Sequence, residues 1–143
     1  MTSTCTTRED CVRILRSHQP ANTKDKSPIS GFSFIVGGNG VVYRGRGWDS
    51  EGAHTFEYND RSIGIALIGR FESQPPTREQ LSATKKLIDC GIKKRKLRRD
   101  YRLIGHVQVS STNCPGNLLY KIIKDWPNWF SFSEYDDDVE EDY

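Results

Sequence analysis

The spacing of apolar residues changes along the chain, and each change marks an element. Thr6-Thr7-Arg8-Glu9 has the Thr-x-x-Glu form of a capping box, and Cys11, Val12, Ile14 and Leu15 follow at helical spacing, which predicts a helix ending near His18. Residues 20–31 read as a polar loop with prolines and lysines. Phe32-Ser33-Phe34-Ile35-Val36 then alternates apolar and small residues, Gly37-Gly38-Asn39-Gly40 supplies a turn, and Val41-Val42-Tyr43 returns, the pattern of a hairpin. The glycine-rich stretch from Gly45 to His54 predicts irregular surface. Ser62 to Gly69 is a nearly continuous apolar run, as in a strand buried on both faces.

Helical spacing resumes after Pro75-Pro76. Thr77-Arg78-Glu79-Gln80 is a second capping box, and Leu81, Thr84, Leu87, Ile88 and Gly91 carry a helix from about residue 78 into Lys93-Lys94-Arg95-Lys96. Tyr101 to Gly105 reads as a short strand that delivers His106 at its C-terminal end. Pro115 opens a third helix whose inner face is Leu118, Leu119, Ile122, Ile123 and Trp126. The expected fold is α/β, a mixed central β-sheet flanked by three helices, in a single domain over residues 1–130. Residues 131–143 are expected to form an acidic disordered tail.

Charge sharpens that division. The 143 residues hold 21 Lys+Arg and 19 Asp+Glu, a net charge of +2, yet seven of the acids lie between Glu134 and Asp142. The remainder sets 21 bases against 12 acids, a body of +9. A basic body suits an anionic partner, and an acidic end can shield it. No apolar run approaches a membrane span, and 35% hydrophobic residues are too many for a wholly disordered chain. Met1-Thr2-Ser3-Thr4 leads into a polar helix without a signal peptide. Cys5 and Cys11 are close enough for a short bridged loop where the first helix starts, which implies an oxidising compartment; two reduced thiols are the alternative. Cys90 falls in an apolar helical pattern as a small buried hydrophobe.

Three residues invite chemistry. His106 and Cys114 stand eight apart at a strand end and the loop beyond it, and imidazole and thiolate are both zinc ligands, although two ligands do not make a catalytic site. Arg46 sits among glycines, where a guanidinium can fork onto a carboxylate. The run Lys93 to Arg99 puts six cations in seven residues, either a solvated helix end or an attractor of anionic polymers.

Gly31-Phe32-Ser33-Phe34-Ile35-Val36-Gly37-Gly38-Asn39-Gly40, Val42-Tyr43-Arg44-Gly45-Arg46-Gly47-Trp48, Gly52-Ala53-His54 and Ser62-Ile63-Gly64-Ile65 together resemble the peptidoglycan recognition protein family. Gly105 to Ser110 with Cys114-Pro115-Gly116 is similar to that family's zinc-end motif, and Cys5 and Cys11 match its short disulfide. The match runs from about Cys5 to Trp129.

The resemblance implies a groove that binds the muramyl peptide stem of the bacterial cell wall. Some members are zinc amidases that cut the lactyl–L-alanine bond; others only bind and signal. In the amidases a His on the first strand, a second His and a Cys hold the zinc, and a groove Tyr assists. His106 and Cys114 match the second His and the Cys, giving an incomplete site, because the first His belongs to a strand that would precede Thr2. Phe32 stands at the Tyr position, so no catalytic residue is expected, and no cofactor unless zinc returns with an upstream His. Arg46, Trp48, His54, Tyr58, His106 and Asn113 would contact peptidoglycan. An Arg at the Arg46 position accompanies preference for diaminopimelate stems, whereas the Gly-Trp pair linked to that preference is replaced by Lys26-Ser27.

These features lead to a non-hydrolysing pattern-recognition module of innate immunity, with peptidoglycan fragments as ligands and another recognition protein or a receptor as a further partner. The alternatives are a zinc-dependent N-acetylmuramoyl-L-alanine amidase and a co-receptor or decoy that binds no ligand. No motif supports nucleic-acid binding. The expected location is extracellular, as a secreted protein or receptor ectodomain, with an intracellular form left open by the missing signal peptide.

Overall fold

A computed structural model describes residues 5–17 and 31–132. The polar loop, His18, Lys26-Ser27 and all but the first two residues of the acidic tail lie outside them. The elements run α1 (Arg8–Ser17), β1 (Phe34–Val36), β2 (Val42–Arg44), β3 (Ile65–Leu67), α2 (Arg78–Lys93), a 3-10 turn (His106–Gln108) and α3 (Asn117–Ile123).

The predicted hairpin forms the heart of the sheet. β1 pairs antiparallel with β2, Val36 opposite Val42, and parallel with β3, Phe34 opposite Ile65, so the order is β2-β1-β3. Gly40 makes the turn possible: its φ of 78° is in the left-handed region, and the main chain of Glu79 passes close by. All three residues of β1 are buried. β3, expected to be buried on both faces, is not; Ala66 is buried while Ile65 and Leu67 are half-exposed, because their face opens onto a groove.

Two clusters make up the core. In one, Cys5, Cys11, Ile35, Ala66 and Ile68 pack with Ile14 and Leu15 of α1, and Cys5 and Cys11 are joined in a buried disulfide. In the other, which borders the groove, Phe71, Leu119 and Ile123 pack with Leu67 of β3, Leu81, Leu103 and Trp126. α2 is fixed by its own capping box. The Gln80 main-chain N–H donates to the Thr77 hydroxyl at 3.1 Å, and the fully buried Gln80 amide donates to the carbonyls of Val36 and Ile68 at 2.9 and 3.0 Å. One residue therefore caps the helix and clamps it to the sheet.

Four local expectations are corrected. The α1 cap is Thr7, whose hydroxyl accepts from Asp10 N at 3.1 Å, one residue after the predicted Thr6. Residues 101–105 form no strand; Leu103 makes a single bridge to Trp129, while the Asn128 side-chain amide donates to the carbonyls of Arg99 and Tyr101 and takes the place of a neighbouring strand. Pro115 does not open α3. The chain turns through Asn113–Gly116, with Gly116 at φ 92° pressed against the Phe71 backbone, and the helix starts at Asn117. Cys90 is half-buried, on the flank of α2 and outside the core.

Candidate ligand groove

The half-exposed face of β3 floors an open groove of about 1370 Å³. Phe32, Trp48, His54 and Tyr58 line it from the segments around the hairpin, and His106, Asn113 and Cys114 from the 3-10 turn and the loop after it. Seven of the eight residues singled out from the sequence for the groove and zinc positions thus meet in one concavity. Arg46 is not in its wall; the guanidinium donates to the Glu51 carbonyl at 3.1 Å.

His54 is the most constrained of them. Its ring stacks nearly parallel to Phe32, with centroids 6.1 Å apart and planes 11° apart. Gly52 and Gly64 flank the ring so closely that a β-carbon at either would overlap it. Asn59 Oδ1 accepts from the backbone N–H of both His54 and Thr55 at 2.8 Å, and His54 Nδ1 lies 2.9 Å from the Thr55 hydroxyl. Nε2 is buried without a partner among the described residues. Burial first, then electrostatic repulsion from the neighbouring His106 and Arg46 side chains, holds the imidazole below its ordinary pKa, so the neutral form prevails at pH 7. A neutral ring against an aromatic face can pack on a sugar or alkyl chain and offer a single polar atom to a ligand.

Trp48 leans on Phe34 with centroids 4.6 Å apart, and its far edge rests on Gly91 of α2. Across the groove, Val107 N donates to Cys114 O at 2.8 Å, coupling the 3-10 turn to the cysteine loop. Gln108 braces the same turn by accepting from Gly105 N at 2.7 Å and donating to Phe130 O at 2.9 Å. The Cys114 thiol is free, and burial pushes its pKa up. Zinc, which the resemblance implies, does not fit the donors present: among the described residues no three His, Cys, Asp or Glu side chains converge to hold a metal. His106 and Cys114 remain a partial set.

The apolar floor and the Asn59 support were missed by sequence reasoning. Ile63, Ile65 and Leu67 line the groove, and the intervening Gly64 and Ala66 are small. That large–small alternation was the available signal that one face of the strand stays open.

Residues 2–117 match the family model described as N-acetylmuramoyl-L-alanine amidase. Over 130 residues the chain is 42% identical to a peptidoglycan recognition protein of Trichoplusia ni, covering 90% of this chain and 71% of that protein. The chain belongs to the peptidoglycan recognition protein family. It is also 41% identical to peptidoglycan-recognition protein SA of Drosophila melanogaster, across 92% of this chain and 65% of the relative, so it spans about two thirds of such a family member. Family structures superpose closely. The X-ray structure of Apis mellifera PGRP-SA gives a TM-score of 0.83 at 41% identity, covering 92% of this chain and 81% of that one. Peptidoglycan recognition protein LE in complex with tracheal cytotoxin, a monomeric diaminopimelic acid-type peptidoglycan, gives 0.86 at 37%, covering 93% and 79%. The ectodomain complex of PGRP-LCa and PGRP-LCx with the same toxin gives 0.82 at 44%, covering 90% and 78%.

Proposed function

We propose that this chain binds bacterial muropeptides in the groove and does not hydrolyse them, as a recognition module of innate immunity acting outside the cell. The observation that carries this reading is the groove itself, which gathers Phe32, Trp48, His54, Tyr58, His106 and Asn113 around an apolar floor. An open concavity with an apolar floor and polar and charged residues on its walls suits an extended amphipathic ligand. Absence of hydrolysis is read from Phe32, whose ring has no hydroxyl to stabilise the oxyanion formed when water attacks an amide. Among the described residues no helix is long and apolar enough to cross a membrane.

Preference for diaminopimelate stems is assigned to Arg46. It lies close enough to His54 to depress its pKa, and its guanidinium could exchange the Glu51 carbonyl for the extra carboxylate of that stem. Calorimetric titration with diaminopimelate-type and lysine-type muropeptides tests both levels. Binding without zinc-dependent release of stem peptide is expected, and Arg46→Ala should weaken only the diaminopimelate ligand, by about 1.5 to 3 kcal/mol. Appreciable zinc-dependent turnover by the 143-residue chain would make it an amidase; silence with both ligands would favour the co-receptor role.

A further inference from the structure

We infer that the cationic turn Lys93–Arg99 is a second binding surface, for a phosphodiester-linked polyanion of the bacterial wall, alongside the groove; the assignment to the wall rests on the function proposed above. The six cations divide into two sets. Lys96 and Arg98 hold the turn: Lys96 Nζ is 2.6 Å from Asp49 Oδ1, and Arg98 grips Asp100 through two nitrogens at 3.0 and 2.9 Å. Lys93, Lys94, Arg95 and Arg99 are exposed and have no acidic partner among the described residues.

The turn is anchored at both ends. Lys94 and Lys96 donate their main-chain N–H groups to the carbonyls of Cys90 and Gly91, Leu97 packs beside Trp48 over Gly91, and Asn128 holds the carbonyls of Arg99 and Tyr101. Cations set on a fixed backbone lose less freedom when they bind. The negative pole of α2 accounts for a lysine at position 93. It accounts neither for Arg99, beyond the helix, nor for Arg95, which sits at φ 58° where glycine is the easier residue. Keeping a guanidinium in that conformation makes sense if its charge is used.

Several ammonium and guanidinium groups on one turn suit the repeated phosphates of a polymer, and arginine forks onto phosphate oxygens in pairs. Lys96 and Arg98 also line the groove, so a stem peptide in the groove and a phosphate polymer on the turn could belong to one wall fragment, with a gain in avidity.

The test titrates the full 143-residue chain with poly(glycerol phosphate) and, separately, with a phosphate-free muropeptide. Polymer binding should weaken steeply as salt rises, and the Lys93→Glu/Lys94→Glu/Arg95→Glu/Arg99→Glu variant should lose about tenfold or more while muropeptide affinity holds. Arg95→Gly provides an independent readout, since relief of the left-handed arginine should raise the thermal midpoint while polymer affinity falls. Equal loss per charge from Arg8→Glu/Arg16→Glu on α1 would overturn the inference, as would tighter binding to an oligothymidylate with the same number of phosphates. No polymer binding with muropeptide binding intact defeats this inference alone; silence with both defeats the wall-reading function beneath it.

Discussion

His54 shows how much one side chain depends on what surrounds it. Gly52 and Gly64 leave room for the ring, Phe32 covers one face, and Asn59 fixes the backbone. Gly64→Ala should push the ring out of place, lowering the thermal midpoint and weakening muropeptide binding together. Acid should act on the same residue. Its pKa in the folded protein lies below the ordinary 6.5, so in the window between the two values the unfolded chain holds more protons, and stability rises with pH across it. Acidification from pH 6.5 downward should therefore lower the midpoint of the native protein more than that of a His54→Gln variant. Phe32, Trp48, His54, Tyr58, His106, Asn113 and Cys114 line the groove, and what pointed to them in the sequence was the family resemblance, since periodicity and spacing alone do not. The guanidinium contact of Arg46 with Glu51 was not legible there, because a carbonyl five residues away is available to any surface arginine.

At the level of elements, what could be read depended on how local the determinant is. The hairpin and the Thr77–Gln80 capping box are decided within a few residues, and both formed as the pattern predicts. The second role of Gln80, clamping α2 to the ends of β1 and β3, reaches 44 residues back to Val36 and leaves no trace in periodicity. Gln80→Leu would remove the side-chain donor from the Ile68 carbonyl and leave the Val36 carbonyl with only the Ile68 N–H, at a cost of about 1 to 3 kcal/mol. Urea unfolding should report this as a lower midpoint with an unchanged slope. The strand expected at 101–105 failed for a comparable reason. The Tyr101 carbonyl is satisfied by the Asn128 side chain, and Leu103 pairs with the C-terminal segment through Leu103 N to Asn128 O at 2.8 Å and Phe130 N to Leu103 O at 3.0 Å. Tertiary pairing of that kind lies beyond an apolar pattern five residues long.

Across the whole molecule, the disulfide and the charge distribution matter most. Cys5 and Cys11 are 1% and 0% exposed and belong to the cluster under the sheet, so reductant reaches them only when α1 lifts away. Replacing both with Ala should cost about 2 kcal/mol or more, combining a lost cross-link with a lost core contact, and calorimetry would measure it. The sheet itself has two unequal seams. The antiparallel seam of β1 with β2 closes through one tight turn, whereas the parallel seam joins Phe34 to Ile65 across the whole glycine-rich segment. Local seams close quickly, and distant ones wait on the entropy of the intervening loop. The face that floors the groove belongs to the distant seam, so competence to bind a ligand arrives late in folding, after the hairpin and α2 have already given the chain most of its shape.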